Sequence, residues 1–134
     1  SQVWSVTSYV ELARELRDID RQNLLNVEED HLVSYVGECL EGDRPVIAAS
    51  DYVKAVPEQL RSAIQAPYHV LGTDGFGRSD TREKLRQFFE VNHQFIAYTA
   101  LVKLYEIGVC EKKMLTDFKK EFDIDSDKPN PRLA

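Results

Sequence analysis

The sequence predicts a single α/β domain built around a small, mostly parallel sheet. Two short apolar runs, residues 45–50 and 68–72, are typical of parallel strands that are buried on both faces. Amphipathic stretches of helical period precede, separate and follow these runs. Such alternation of helices and strands indicates a layered domain with helices on both faces of the sheet. A length of 134 residues suits one domain with one hydrophobic core.

The first elements predicted are a short strand, Val3–Val6, and a helix that runs to about Leu25. Ser8 and Glu11 have the spacing of a capping box, which marks the start of that helix. A second helix is predicted over His31–Leu40, before a Gly-Asp-Arg-Pro break. The apolar positions of the first helix recur at helical spacing and are Tyr9, Leu12, Ala13, Leu16 and Ile19.

The middle of the chain reads as strand, helix and strand. After the first apolar run, Ser50 or Asp51 can cap a helix over Tyr52–Ile64. Pro57 predicts a break or a start inside that helix, because proline lacks the backbone N–H that a helix interior uses. The strand Tyr68–Gly72 follows, so three strands are expected in all. That number is small for a doubly wound sheet, and it indicates a hidden strand or an incomplete domain.

Three helices are predicted in the C-terminal part. Asp80 and Glu83 form a second capping box ahead of one helix, and Asn92 is a candidate start for the next. The segment Phe95–Ile107 is apolar on most sides, which is typical of a helix that is buried or lies in an interface. Gly108 is a plausible cap at its C-terminal end. A last amphipathic helix over residues 112–122 precedes an irregular tail, residues 123–134.

Composition excludes several classes of function. The net charge of −6 argues against a general nucleic-acid-binding protein, which needs a basic surface. No apolar run reaches the roughly 20 residues that span a bilayer, and the first residues lack the features of a signal peptide. Cys39 and Cys110 lie far apart and match no metal spacing, so we expect reduced thiols in a cytoplasmic protein.

The glycine-rich loop after the Tyr68–Gly72 strand is the main candidate site. It leads from a strand into a helix, where backbone N–H groups commonly bind anions, and an arginine could add a bidentate contact to a phosphate. The pattern is neither the dinucleotide fingerprint nor a P-loop, and two aspartates would repel an anion. We therefore expect a tight turn whose glycines allow positive φ, with Phe76 packed inward, ahead of an anion site. The candidate contact residues are Asp74, Gly75, Phe76, Gly77, Arg78 and Ser79.

Other polar residues do not combine into a catalytic group in the sequence. His31, His69 and His93 lack the spacing of metal ligands, although His69 could face a cleft from its strand. The Ser-Asp pairs at 50–51 and 79–80 are better explained as helix caps than as nucleophile and base. The acidic run Glu28–Asp30 is expected to be a solvated loop. The residues alone therefore indicate an acidic α/β domain and name no reaction.

Five segments, in order along the chain, resemble one enzyme family. They are Trp4–Ala13, Ala49–Tyr52, Leu71–Asp80, Phe89–Val91 and Lys128–Ala134. Together they resemble the C-terminal end of the single-chain, homodimeric pyruvate-decarboxylating component of the bacterial pyruvate dehydrogenase complex, a member of the transketolase-like superfamily.

The resemblance implies that the chain is a three-layer α/β/α C-terminal domain. It also implies that the chain begins partway into this domain, after the first strands. The parent enzyme would use thiamine diphosphate and Mg²⁺ to decarboxylate pyruvate and would pass the acetyl group to the lipoyl group of a dihydrolipoyl acyltransferase. The catalytic, cofactor-binding and metal-binding residues belong to regions absent here. The chain alone is therefore expected to be inactive, to bind no cofactor, and to contact the remaining domains and the second subunit. Because strands are missing, self-association through an open sheet edge is also expected. A free-standing anion-binding or regulatory module using the Gly72–Ser79 loop is the alternative.

Overall fold

The computed structural model describes residues 1–75 and 78–133, and the elements below are those of these residues. They form helices on both faces of a small parallel sheet, which confirms the predicted α/β class. The elements in chain order are α1 (Tyr9–Leu25), α2 (Tyr35–Cys39), β1 (Val46–Ala49), α3 (Ala55–Glu58), a 3-10 turn (Arg61–Ala63), β2 (Tyr68–Leu71), α4 (Arg82–Phe88), α5 (His93–Glu106) and α6 (Lys112–Glu121).

The sheet contains two of the three predicted strands. Strands β1 and β2 pair in parallel, with Val46 opposite Tyr68 and Ala49 opposite Leu71. The predicted strand Val3–Val6 is wrong: residues 1–6 form no ladder, and the side chain of Val3 is 96% exposed. A strand needs a neighbour for its backbone hydrogen bonds, and none of the described residues pairs with this segment.

Side chains alternate between the two faces of the sheet and so define the layers. Val46, Ala48, Tyr68 and Val70 lie on one face and join the core formed with α1 and α2. Helix α5 packs on the side of β1, and α6 packs on α5. This arrangement of helices, sheet and helices is the three-layer order expected of the fold. The buried core comprises Ala13, Val36, Ala48, Leu60, Ile64, Ala66, Tyr68 and Val70.

The predicted helix starts are confirmed where a side chain caps the first turn. The Ser8 hydroxyl accepts a hydrogen bond from the Glu11 N–H at 3.2 Å, and the Asn92 amide oxygen accepts one from the Phe95 N–H at 3.0 Å. The predicted Asp80 cap is displaced by one residue, since Thr81 caps α4 and accepts from the Lys84 N–H at 3.4 Å.

Two predicted helices are shorter than expected. Helix α2 begins at Tyr35 rather than His31, because the Ser34 hydroxyl accepts from the Gly37 N–H and caps it there. The predicted helix Tyr52–Ile64 is split into α3 and the 3-10 turn. Ser50 accepts from the Tyr52 N–H in a local turn, and α3 has no side-chain cap, so the predicted Ser50 or Asp51 cap is wrong.

The end of α5 is as predicted. Gly108 has a φ of 80°, which favours glycine, and its N–H donates to the Tyr105 carbonyl at 3.0 Å. The Val109 N–H donates to the Leu104 carbonyl at 2.9 Å, which completes a Schellman motif. Helix α6 ends one residue before the predicted boundary, at Glu121.

Candidate functional site

The first half of the glycine-rich loop is tied to the loop that follows β1. The Thr73 N–H donates to the Tyr52 carbonyl at 3.0 Å, and the Thr73 hydroxyl donates to the Asp51 carbonyl at 2.6 Å. The Asp74 carboxylate accepts from the Lys54 N–H at 2.9 Å. The two loops that leave the carboxyl ends of the parallel strands are therefore bonded into one unit.

Gly72 allows this close approach. A β-carbon at this position would lie 2.8 Å from the Tyr52 carbonyl oxygen and 3.0 Å from the Lys54 nitrogen. Both are backbone atoms, which cannot move aside as a flexible side chain could. The sequence predicted glycines that permit an unusual φ, whereas Gly72 is required because another backbone passes beside it.

The next part of the loop meets the C-terminal tail. Gly75 has a φ of 118°, as the tight-turn interpretation predicted for a glycine of this loop. A β-carbon there would lie 2.8 Å from the Pro131 carbonyl oxygen and 3.1 Å from the Arg132 α-carbon. The candidate residues Phe76 and Gly77 lie outside the described residues.

Arg78 and Ser79, the last two candidate residues, lie between the glycines and α4. The Arg78 guanidinium lies 3.9 Å from the centre of the Phe88 ring, which is cation–π distance. Ser79 is exposed, and α4 begins beyond it at Arg82. The loop thus places its arginine against an aromatic ring of α4. Contact with an anion or with another domain stays a prediction for all six candidate residues.

Lys128 is a residue that sequence reasoning missed. Its ammonium donates to the carbonyls of Gln87 and Phe88 at 3.1 and 2.6 Å and to the Glu90 carboxylate at 3.3 Å. A cavity of about 390 Å³ lies between the tail and the loop. No local pattern reveals these contacts, because the partners are separated by about forty residues. The residues that line the cavity are Lys54, Gly72, Asp74, Phe89, Glu90, Lys128, Asn130, Pro131 and Arg132.

A larger open cleft of about 890 Å³ lies at the carboxyl end of β1, between α4 and the start of α5. Arg86 and Asp51 form an ion pair across it at 3.3 Å, and both side chains are well exposed. An exposed pair of this kind contributes little to stability, about 0–1 kcal/mol. The cleft has a mixed polar and apolar lining, which includes Ser50, Asp51 and His93.

His69 is the histidine whose surroundings change its chemistry. It lies on β2, partly buried, and its pKa is lowered from 6.5 by desolvation and by the nearby cations Lys103, Lys54 and Arg61, against a smaller opposing effect of Glu106. His31 and His93 are exposed. Within residues 1–75 and 78–133, no three His, Cys, Asp or Glu side chains cluster as metal ligands would.

Because the pKa of His69 is lowered in the folded chain, we expect the domain to lose stability as the pH falls below 6.5. Above pH 6.5 the imidazole is neutral in both the folded and the unfolded chain, so it has no effect. As the pH falls below 6.5 the unfolded chain takes up the proton first, and the folded state loses stability until the pH reaches the folded pKa. Urea unfolding of the chain and of His69→Gln between pH 7.5 and 5 should show a smaller loss in the variant. Equal losses of unfolding free energy in the two proteins would contradict the lowered pKa of His69.

The two cysteines and the acidic run lie as the sequence predicted. Cys39 and Cys110 are free and partly buried, as expected of two thiols. The acidic run Glu28–Asp30 is exposed in a turn, as predicted. Among the described helices, none has the length and apolar character needed to cross a membrane.

The fold agrees with what comparison with known proteins shows. A family model described as the transketolase-like TK C-terminal domain matches residues 1–92. The chain belongs to this transketolase-like C-terminal domain family. The match covers α1 to α4 and both strands, so the glycine-rich loop is part of the family domain. Helices α5 and α6 and the tail lie beyond it.

Curated relatives extend this similarity over the whole length. The chain is 47% identical to the pyruvate dehydrogenase E1 component of Escherichia coli strain K12, over 100% of this chain and 15% of that protein. It is 46% identical to the same component of Cupriavidus necator, over 98% of this chain and 15% of that protein. The Pseudomonas aeruginosa component is 45% identical, again over 98% and 15%. The chain therefore spans about 15% of the length of these relatives.

Proposed function

We propose that this chain is the non-catalytic C-terminal structural domain of a pyruvate dehydrogenase E1 component. The observation that carries the proposal is the 47% identity over the entire chain to the E1 component of Escherichia coli, against 15% coverage of that protein. In this proposal the parent enzyme decarboxylates pyruvate and transfers the acetyl group to the lipoyl group of a dihydrolipoyl acyltransferase. The domain supports the dimer and the active-site domains and supplies no reacting group.

The described residues do not fit a thiamine diphosphate and Mg²⁺ site. Mg²⁺ bound to a diphosphate prefers converging carboxylate and carbonyl oxygens in octahedral geometry. Asp51 is paired with Arg86, and the Asp74 carboxylate is bonded to the Lys54 N–H. We therefore assign the cofactor to other regions of the parent enzyme, and we assign no catalytic step to this chain.

Helix α5 offers the apolar surface that this role requires. Its side chains are apolar on most sides, yet none of its residues is fully buried in the chain. Tyr98 stacks on Phe118 of α6, whereas Ile107 and Val109 beyond the helix end are 44% and 65% exposed. A helix that is apolar on most sides is usually buried or lies in an interface. We propose that the segment Phe95–Ile107 and the loop 73–79 contact the rest of the parent enzyme.

Calorimetric titration with thiamine diphosphate and Mg²⁺ tests the assignment of the cofactor to other regions. We expect no saturable heat for this chain, with an intact E1 component as the positive control. Saturable binding would overturn the proposal. A titration with inorganic phosphate distinguishes the structural domain from the alternative, a free-standing anion-binding module. Saturable phosphate binding that Arg78→Ala abolishes would support the anion-binding module instead.

The small sheet also predicts self-association of the isolated chain. Among the described residues the sheet has two strands, so each strand has one edge without a strand neighbour. Open strand edges can pair with the strands of other chains. Light scattering over a concentration series is expected to show a rising mass. A monomer at all concentrations, with both edges protected in hydrogen exchange, would contradict this expectation.

A further inference from the structure

The Lys128 side chain is held more completely than a surface lysine usually is. All three of its N–H donors can be used, because three acceptors lie within 3.3 Å: the Gln87 and Phe88 carbonyls and the Glu90 carboxylate. Two aromatic rings flank it, with the Phe88 and Phe95 centres at 5.6 and 5.4 Å. The ammonium is thus bonded to the end of α4 and enclosed between rings.

Two of these acceptors are carbonyls of the last turn of α4, and the Gln87 carbonyl also accepts from the Glu90 N–H at 3.3 Å. The last carbonyls of a helix have no partner within it, and a cation there is favoured by the helix dipole. The backbone makes a left-handed turn at Glu90, with a φ of 61°, which brings its carboxylate back to the same ammonium. Hydrogen bonds from a charged donor are about twice as strong as neutral ones. Lys128 therefore anchors the tail to α4.

A few residues further on, the tail meets the glycine-rich loop. The site of a β-carbon on Gly75 lies 2.8 Å from the Pro131 carbonyl oxygen, so the two backbones are in direct contact. The Asn130 side chain accepts from the Arg132 N–H at 3.0 Å, which fixes the turn that makes this contact. Pro129 and Pro131 restrict the segment between the two attachment points.

We propose that residues 128–132 form a strap that holds the glycine-rich loop in place, with Lys128 as its anchor. The strap connects the end of α4 to Gly75, and through the hydrogen bonds of Thr73 and Asp74 it also restrains the loop after β1. Release of Lys128 frees both loops at the carboxyl ends of the strands. The proposal concerns the chain itself, and it stands whether or not the loop contacts another domain.

Hydrogen–deuterium exchange of the whole chain tests the strap, with Lys128→Met as the variant and Lys120→Met as the control. Methionine keeps the apolar length of the lysine and removes its charge and donors. Lys120 is exposed on α6, so its replacement removes the same charge without touching the strap. We expect Lys128→Met to speed exchange in peptides covering residues 52–54 and 72–75 by about tenfold, and Lys120→Met to leave it unchanged.

The outcome that overturns the strap is faster exchange confined to α4 and the tail. It would mean that Lys128 caps a helix without restraining the loop. Gly75→Ala provides a second test from the opposite attachment point, because its β-carbon would collide with Pro131 and push the tail away. Faster exchange of residues 124–133 in Gly75→Ala, with unchanged far-ultraviolet circular dichroism, supports the strap. Unchanged exchange there contradicts it, even if Lys128→Met fails to fold.

Discussion

Replacing Leu60 by alanine is expected to destabilise the domain by about 2–5 kcal/mol. Leu60 is 2% exposed and lies in the core between the helices and the sheet, so the shortened side chain leaves a cavity that its neighbours cannot fill. Domains of this size have a free energy of unfolding of about 5–15 kcal/mol. The variant should therefore lose a large share of its stability, measured by chemical denaturation.

Leu24→Ala is the matched control for this prediction. It makes the same chemical change near the end of α1, where the side chain is 75% exposed. We expect a change within about 0.5 kcal/mol. Similar losses for the two variants would mean that Leu60 does not occupy the core that the structure assigns to it.

Replacing Gly72 by alanine is expected to cost about 1–3 kcal/mol and to separate the two loops at the strand ends. The added methyl would lie 2.8 Å from the Tyr52 carbonyl oxygen, so either this backbone or β2 must move. Movement would break the Thr73 to Tyr52 and Lys54 to Asp74 hydrogen bonds. Denaturation and amide exchange measure the two effects.

Gly42→Ala is a control in which an added β-carbon strains the backbone without colliding with another segment. Gly42 has a φ of 123° but nothing within 4 Å of an added β-carbon, so its variant reports backbone strain alone. We expect Gly72→Ala, and not Gly42→Ala, to increase exchange in the loop at residues 52–54. Retention of slow exchange in Gly72→Ala would show that the close approach is not required.

Local signals explain which parts of the fold could be predicted from the sequence. The starts of α1 and α5 were predicted because Ser8 and Asn92 are caps that act within three residues. Strands β1 and β2 were predicted because short apolar runs bounded by turn residues indicate strands without knowledge of their partners. The Val3–Val6 strand failed for the opposite reason, since a strand depends on a neighbour that the local sequence does not specify.

The sequence predicted which segment forms the candidate site, but not how that segment contacts the rest of the chain. The sequence indicated the glycine-rich loop. It did not indicate that the backbone of Tyr52 and Lys54, some twenty residues earlier, passes close to Gly72, or that Pro131 at the other end of the chain passes close to Gly75. Lys128 has no local signature, because its acceptors at the end of α4 are created by folding. Contacts that join distant segments are the ones that a single sequence leaves open.

Exchange of this domain in a related enzyme tests the proposed structural role. The C-terminal region of the Escherichia coli E1 component, aligned to this chain at 47% identity, would be replaced by the chain, and pyruvate decarboxylation and dimer formation would be measured. The intact E1 component and an E1 component truncated before this region are the controls. We expect a dimeric, active chimera and an impaired truncation. A folded chimera that fails to form the dimer or to decarboxylate pyruvate, or a fully active truncation, would contradict the proposed structural role.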